Sequence, residues 1–181
     1  MAEEELLSLL KKISQDNDEQ SYEALYHLYF ERLFRFALSI VKLPEVAEEI
    51  VSDVFVKVWE HRFRIANMEN PRLYLYVSTK NFSLNYLSKK ANDIVTCFEN
   101  YETGIAALES NPEQLFITAE MVKRIQQAVQ GLPPRCKIIF KLVKEDGLKH
   151  REVAELLGIS VKTIEAQMVI ALKKIANAII L

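Results

Sequence analysis

The chain has 181 residues, half of them apolar, and a formal net charge of −2. Only four glycines and five prolines occur, which disfavours a turn-rich β sandwich or a glycine-looped nucleotide fold and predicts a helical protein. The first residues lack the basic and then apolar order of a secretory leader, and charges interrupt every apolar stretch before a bilayer-spanning length. We therefore expect a cytoplasmic protein without membrane insertion.

Charge is distributed unevenly along the chain. Residues 1–20 sum to −4 and residues 91–118 to −5, whereas residues 57–90 and 119–181 each carry +5. Basic segments neutralise nucleic-acid phosphates and release their counterions, and acidic segments are repelled by the same polyanion. The pattern favours two nucleic-acid-binding segments around an acidic spacer, although a solvated basic surface explains the charge equally well.

Three amphipathic helices are predicted between residues 21 and 90. Apolar residues recur at spacings of three and four from Tyr22 onward, as on one face of a helix. Pro44 begins a second helix, whose carboxylates fall largely opposite its apolar stripe. Asn70 and Pro71 predict the start of the third, with the asparagine as N-cap and the proline in the first turn. The three helices can share one core.

Apolar residues no longer recur at helical spacing between residues 91 and 118, where acidic and small residues predominate. This change predicts a linker. Asn111 and Pro112 are expected to begin the next helix and Gly131 to end it as a left-handed cap. Two prolines, Pro133 and Pro134, then predict a break before a further helix.

Residues 149–175 have the layout of a helix-turn-helix. Gly158 can adopt the turn conformation that other residues reach only at a cost, and Ser160 can cap the second helix by accepting from its free N–H groups. The expected inward positions are Val153, Ala154 and Leu157 on the first helix and Val161, Ile164 and Met168 on the second.

The second helix of this motif leaves a polar face outward. The major groove of B-DNA admits one helix, whose N-terminal residues reach base edges; a glutamate can accept from cytosine and a glutamine can pair with adenine. A plain helical hairpin with a solvated face is the alternative. The predicted DNA-contacting residues are Lys162, Thr163, Glu165, Ala166, Gln167, Lys173 and Lys174.

Catalytic and metal-binding patterns are absent from the sequence. Cys97 and Cys136 lie far apart without ligand spacing, and the three histidines are dispersed. We found no nucleophile elbow, phosphate loop or isolated carboxylate pair. The sequence therefore predicts no enzyme, no cofactor and no metal, with both thiols reduced and structural.

In order and spacing these segments resemble the extracytoplasmic-function sigma factors, the smallest members of the principal RNA polymerase sigma factor family. Residues 132–175 resemble region four of that family and residues 21–90 resemble region two. The resemblance implies an all-α fold of two small helical domains, a three-to-four-helix bundle at 1–90 and a helix-turn-helix domain at 119–181, joined by the linker at 91–118. The matching runs are Tyr22–Tyr26, Ala47–Glu60, Pro71–Tyr76 with Asn81 and Asn85–Leu87, Leu132–Arg135 and Gly158–Thr163.

The resemblance also implies function: binding of core RNA polymerase and promoter-specific initiation of transcription. Region two would dock an acidic helix face on the β′ clamp helices and capture a base flipped from the non-template strand at the minus-ten element. Region four would read the minus-thirty-five element and contact the β flap. The residues implied in polymerase binding are Glu48, Glu49, Ser52 and Asp53, and those implied at the minus-ten element are Arg62, Arg64, Asn67, Arg72, Lys80, Asn81 and Asn85.

Some features leave alternatives open. Ile170 stands where the family usually places a basic residue, Ala166 where a longer polar residue is common, and Lys149 where a serine or threonine cap is usual. The acidic linker would thread basic channels of polymerase or act as an unengaged tether, and an anti-sigma factor is a further partner that the family permits. A self-sufficient helix-turn-helix regulator, dimeric on a two-fold site, and a helical adaptor for acidic partners are the other functions considered.

Overall fold

The computed structural model describes residues 2–90 and 119–180. The chain divides into two compact units, Met1–Phe98 and Glu99–Leu181. Every regular element in the described residues is helical, so the predicted all-α fold of two small domains is confirmed. The predicted linker at 91–118, the helix start within it and Cys97 lie outside the described residues, and the boundaries proposed for the domains stay predictions.

The first unit contains five helices in the described residues. Asp18 caps the second, since its carboxylate accepts from the backbone N of Gln20 at 3.2 Å and from Ser21 Oγ at 2.6 Å; the Ser21 hydrogen bond lowers the pKa of Asp18. Asn70 Oδ1 accepts from Leu73 N at 3.2 Å, which confirms the predicted N-cap. The helices are α1 Ala2–Asp16, α2 Glu19–Val41, α3 Pro44–Glu60, α4 Arg62–Ile65 and α5 Pro71–Lys90.

Helix α1 was not expected from the sequence, where residues 1–20 stood out only by their acidity. Leu6, Leu10 and Ile13 are fully buried, and α1 packs on α2, α4 and α5. Their spacing of four and three places them on one narrow stripe, which the surrounding charged residues obscured. In the described residues the first unit therefore contains two helices, α1 and the short α4, in addition to the three predicted between residues 21 and 90.

Aromatic side chains fix α2 against α3. The Tyr22 hydroxyl donates to the backbone oxygen of Phe55 at 2.9 Å, and the Tyr22 ring lies edge-on to Trp59 with centroids 5.1 Å apart. The rings of Tyr26 and Phe55 are 4.7 Å apart. Burial raises the pKa of the Tyr22 hydroxyl. These contacts turn the apolar stripe of α3 inward and leave its opposite face to solvent.

The first helix of the second unit ends differently from what the sequence predicts. Gly131 was predicted to be a left-handed cap, but the glycines with positive φ are Gly147 and Gly158. The Leu132 N–H bonds to Val129 O at 3.2 Å, and Leu132 is buried before the proline pair. The chain therefore leaves through a tight turn. The elements are α6 Ala119–Gln130, α7 Pro134–Phe140, a π-helical segment Lys141–Glu145, α8 His150–Leu157 and α9 Val161–Ile180.

Cys136 lies in the core of this unit, and its thiol is free. Its Sγ donates to Gln167 O at 3.3 Å, which ties α7 to α9, and burial raises the pKa of the thiol. Val129, Leu132, Ala171 and Ile175 complete the cluster around it. The structural role predicted for this thiol is confirmed.

Helices α8 and α9 form the predicted helix-turn-helix. Gly158 is left-handed (φ 66°, ψ 38°), and Ser160 Oγ accepts from Thr163 N at 3.1 Å. At the start of α8 the backbone N–H of Lys149 donates to Glu152 Oε2 at 2.8 Å, so a glutamate side chain takes part in the cap where the usual Ser or Thr is missing.

Two of the inward positions predicted for this motif are wrong. Leu156, rather than Leu157, is fully buried, and Val161 is exposed. The face of α8 is shifted by one residue, because Val153 and Leu156 are three apart and share a side with Ala154. In α9 the inward stripe begins one turn later, at Ile164, and continues through Met168.

Gly158 offers a stability prediction with an internal control. A Cβ at this position would meet nothing within 4 Å, so Gly158→Ala adds only the strain of a left-handed alanine, about 1 kcal/mol off the free energy of unfolding. At Gly131 an added Cβ would lie 3.5 Å from Gln127 O, an ordinary contact, so Gly131→Ala should leave stability unchanged or raised. Urea denaturation followed by circular dichroism measures the stability of both variants. Equal losses of stability would contradict the left-handed conformation assigned to Gly158.

Candidate functional site

The carboxylate row predicted on α3 is fully on the surface. Glu48, Glu49, Ser52 and Asp53 are all exposed, and Ser52 Oγ donates to Glu48 O at 3.0 Å. Positions three and four residues apart are neighbours on a helix surface, so Ser52 adjoins both Glu48 and Glu49, and Asp53 adjoins Glu49. The row therefore forms a single acidic face, which we call the α3 acidic face, on the side opposite the buried stripe.

Val56 lies on the same face and was missed. It continues the i, i+4 series from Ser52 and is 53% exposed, so the face combines carboxylates with one apolar side chain. The helix ends in an exposed ion pair, Lys57 Nζ to Glu60 Oε2 at 2.6 Å; this hydrogen bond lowers the pKa of Glu60 and raises that of Lys57. Glu60 is thus partly neutralised, while Glu49 and Asp53 present negative charge.

Helix α5 presents a second face, made of exposed residues at helical spacing. Asn81 and Asn85, two of the residues predicted to contact DNA, are four residues apart and both exposed, while Lys80 is half-buried. Leu84 is exposed between the two asparagines and was not predicted. Ser88 and Lys89 extend this α5 face, which consists of Asn81, Leu84, Asn85, Ser88 and Lys89.

The three arginines predicted at the minus-ten element lie in different environments. Arg64 is exposed on α4. Arg72 is only 8% exposed, and helical spacing places it on the side of α5 opposite Asn81. Arg62 is engaged within the protein, since its Nε donates to Asn17 Oδ1 and its Nη1 to Trp59 O, both at 2.8 Å. Arg64 is therefore the one of the three with an exposed side chain.

Asn67, the loop residue predicted at the same element, is exposed. Its Nδ2 donates to Phe63 O at 2.7 Å, which fixes the side-chain amide against α4. Asn67 lines a groove between α4 and α1 rather than the α5 face. Among the described residues that line this groove, Asn67 is present and Asn81 and Asn85 are not.

The outward face of α9 carries the residues predicted to contact DNA. Lys162, Glu165 and Ala166 are exposed in its first two turns. Thr163 is half-buried, with its Oγ1 2.8 Å from Ser160 Oγ, so its hydroxyl is already part of the cap. Gln167 is half-buried, and Lys173 and Lys174 are exposed two turns further on.

Two apolar residues interrupt this face. Val169 is 52% exposed and Ile170 is 42% exposed. Helical spacing places Val169 between Ala166 and Lys173, and Ile170 between Gln167 and Lys174. Ile170 was recognised from the sequence as a departure from the family, whereas Val169 was missed because its exposure depends on how α9 is rotated against α7 and α8.

Other site classes receive no support from the described parts of the chain. Within residues 2–90 and 119–180 no group of three or more His, Cys, Asp or Glu side chains is placed to hold a metal ion. None of the described helices combines the length and apolarity needed to cross a bilayer.

Comparison with known proteins gives the same division of the chain. The family model described as Sigma-70 region 2 matches residues 25–92, and that described as Sigma-70, region 4 matches residues 123–175. The two matches fall on the bundle and on the helix-turn-helix unit. Together they cover more than half of the chain.

Curated relatives extend the similarity over almost the whole length. The ECF RNA polymerase sigma-E factor of Escherichia coli (strain K12) is 24% identical over 187 residues, covering 99% of this chain and 97% of that protein. The ECF RNA polymerase sigma factor SigE of Mycolicibacterium smegmatis is 22% identical over 151 residues, covering 82% of this chain, which spans 57% of that protein. The solved structure of CnrH in complex with the cytosolic domain of CnrY is 17% identical with a TM-score of 0.49, covering 94% of both chains.

A helical bundle of region-two type followed by a helix-turn-helix of region-four type is the architecture of an RNA polymerase sigma factor. This chain belongs to the sigma-70 family, in its extracytoplasmic-function subfamily. Members of this family act in transcription initiation and are not enzymes, and membership implies RNA polymerase and promoter DNA as partners. The family, fold class and functional class predicted from the sequence are confirmed.

Proposed function

We propose that this chain binds core RNA polymerase through the α3 acidic face and directs initiation by contacting a minus-ten element with the first unit and a minus-thirty-five element with α9. The observation that carries the proposal is that each unit leaves outward one helix face of the required chemistry: carboxylates on α3, amides on α5, and a lysine, a glutamate and a glutamine on α9. The two other functions considered explain only one unit each.

Charge supports the polymerase contact. Four neighbouring exposed positions on α3 hold Glu48, Glu49, Ser52 and Asp53, and a row of carboxylates suits a basic partner by electrostatic complementarity. Val56 adds apolar area within the same face, and interfaces bury such side chains at their centre. We propose the β′ clamp helices as the partner of this face and the β flap as that of the second unit.

Amide chemistry supports the minus-ten contact. The side chains of Asn81 and Asn85 are exposed on the α5 face, and an amide both donates and accepts, as the edges of unpaired bases require. Arg64 and Lys89 are exposed cations on the same unit and suit backbone phosphates. Because Arg72 is buried and Arg62 is bonded internally, we assign them supporting roles rather than phosphate contacts.

The position of the helix-turn-helix supports the proposed minus-thirty-five contact. Lys162, Glu165 and Gln167 lie in the first two turns of α9, where recognition helices contact base edges. Gln167 can pair with adenine and Glu165 can accept from cytosine. Val169 and Ile170 are exposed beyond them and can contact thymine methyl groups, so we expect a recognition sequence that contains thymine.

Reconstitution with core polymerase and a genomic promoter pool tests the whole proposal. Sequencing of the transcript starts should reveal one class of promoters, with shared elements near minus ten and minus thirty-five, that core enzyme alone does not use. Association with core enzyme without any directed start would contradict the proposal. Tight specific DNA binding in the absence of polymerase would instead support a self-sufficient regulator, which is expected to dimerise on a two-fold site.

Three further predictions remain with this proposal. The acidic residues Glu99, Glu102 and Glu109 belong to the linker, which lies outside the described residues; reversing their charge should alter polymerase binding or promoter escape if the linker threads basic channels. An anti-sigma factor is a partner that the family permits, and a cytoplasmic location is expected from the sequence. Copurification of a partner that blocks core binding checks for an anti-sigma factor, and cell fractionation checks the location.

A further inference from the structure

The guanidinium of Arg62 joins two parts of the first unit that are distant in sequence. Its Nε donates to Asn17 Oδ1, 45 residues earlier in the chain, and its Nη1 donates to Trp59 O, both at 2.8 Å. The charged group also lies over two aromatic rings, 4.9 Å from the centroid of Trp59 and 4.8 Å from that of Phe63. These contacts, which we call the Arg62 clasp, hold the turn between α1 and α2 against the start of α4.

The backbone at Asn17 suits its part in the clasp. Its φ is 51°, in the left-handed region that asparagine enters more readily than most residues with a side chain. The next residue, Asp18, caps α2 by accepting from Gln20 N and Ser21 Oγ. The acceptor of the clasp is therefore presented by a turn whose conformation is set by the two helices that it joins.

Helix α4 depends on support from outside itself. It has only four residues, too few for a helix to be stable alone in water. Ile65 is fully buried at its end, and the Arg62 clasp fixes its start. Ala66 N donates to Arg62 O at 3.0 Å and Met68 N to Ile65 O at 3.1 Å, so the following loop continues directly from α4. The direction in which this loop leaves α4 therefore depends on Arg62.

We propose that Arg62 is a positioning residue for the minus-ten contact, because its clasp to Asn17 holds α4 and the loop after it in the orientation in which they meet the promoter strand. The inference rests on the proposed function, which gives that contact to the first unit. Positioning is favoured over a phosphate contact because Nε and Nη1 already donate within the protein. A loop that is held in place does not have to be ordered when the strand binds, so the clasp raises affinity without touching DNA.

Binding of a single strand to holoenzyme made with the full chain tests the proposal. The probe is a non-template oligonucleotide that spans the minus-ten element of a mapped promoter. Arg62→Ala and Asn17→Gly should each weaken its binding about tenfold, the scale of ordering a freed loop. Glycine suits the positive φ at position 17, so Asn17→Gly removes the acceptor without backbone strain. The double variant should lose no more than either single variant, because both remove the same contact.

Variants that keep the charge or the acceptor separate positioning from phosphate binding. Arg62→Lys keeps the charge but cannot reach Asn17 Oδ1 and Trp59 O from two nitrogens at once, so it should lose affinity as Arg62→Ala does. Asn17→Asp keeps an acceptor oxygen and should bind nearly as wild type does. Lys12→Ala, which removes an exposed charge from α1, is the control and should also bind as wild type does.

Salt dependence gives a second reading of the same variants. Loss of a phosphate contact lowers the salt dependence of binding by about one unit of slope, whereas loss of the clasp should leave the slope unchanged. A smaller slope for Arg62→Ala, or wild-type affinity for Arg62→Lys, would overturn the inference in favour of a phosphate contact.

Hydrogen exchange in the free chain tests the positioning step without DNA. The amides of Ala66 and Met68 should exchange about tenfold faster in Asn17→Gly than in wild type, because local opening becomes easier, while the amide of buried Val54 on α3 keeps its rate. Unchanged exchange or affinity in Asn17→Gly, additive losses in the double variant, or weaker association of these variants with core enzyme would overturn the inference and leave the proposed function intact. Wild-type holoenzyme that binds no oligonucleotide would contradict the minus-ten contact and the inference with it.

Discussion

Glu49→Lys combined with Asp53→Lys is expected to reduce affinity for core RNA polymerase about a hundredfold or more. Both carboxylates are exposed on the α3 acidic face, so the change leaves the buried stripe of α3 intact. Against a basic partner it converts two attractive contacts into repulsion, and like-charge contacts across an interface cost several kcal/mol. Fluorescence-detected titration of core enzyme with labelled protein measures the loss.

The control for this variant is Glu4→Lys with Glu5→Lys, which changes the net charge equally on exposed positions of α1. It should bind core enzyme nearly as wild type does, apart from a general effect of charge on association rate. Raising the salt concentration should narrow the gap between the two variants, because exposed charges are screened. Equal losses of affinity in both variants would show that only net charge matters and that the α3 acidic face is not part of the interface.

Lys162→Ala combined with Gln167→Ala is expected to lower transcription from minus-thirty-five-dependent promoters about a hundredfold while core binding is unchanged. A good bidentate contact between a side chain and a base contributes about 1–3 kcal/mol of discrimination, and loss of a phosphate contact reduces the salt dependence of binding by about one unit of slope. Lys162 is exposed in the first turn of α9. Run-off transcription with reconstituted holoenzyme at several salt concentrations measures both effects.

Single substitutions assign the two effects. Gln167→Ala should relax preference at one base, and Lys162→Ala should weaken all promoters uniformly with the smaller salt slope. Lys123→Ala removes an exposed lysine from α6 and serves as the control with little effect. Because Gln167 O accepts from the Cys136 thiol through the backbone, the side-chain change leaves that contact in place. Loss of core binding in the double variant would mean that α9 has been misassigned.

Local sequence patterns predicted α2, α3 and α5 of the first unit, but not the short α4. Pro44, Asn70 and Pro71 act through their own backbone and side-chain geometry, so the starts of α3 and α5 follow from the residues themselves. Helix α1 did not follow, since three apolar residues among charges bury little surface alone and are stabilised only against α2, α4 and α5. The groove between α1 and α4 was missed for the same reason, because one of its walls belongs to α1.

Among the site residues, too, some follow from local sequence patterns and others depend on tertiary packing. Exposure of Glu49 and Asp53 could be predicted because one amphipathic period fixes which side of α3 is buried. The positive charges of Arg62 and Arg72 predicted phosphate contacts equally well, yet one is bonded internally and the other is buried. Charge is a property of the residue, whereas accessibility depends on neighbours far away in the chain.

By itself the sequence determined the family, the all-α class and the buried faces of α2 and α3, since periodicity, caps and turn glycines act over a few residues. Only the tertiary structure decided the rotation of α8 and α9, with Leu156 inward and Val161 and Val169 outward, and the placing of α1 beside α4. The physical reason is that a helix face of intermediate hydrophobicity is selected by the partner that covers it. Such a choice depends on packing across the whole unit.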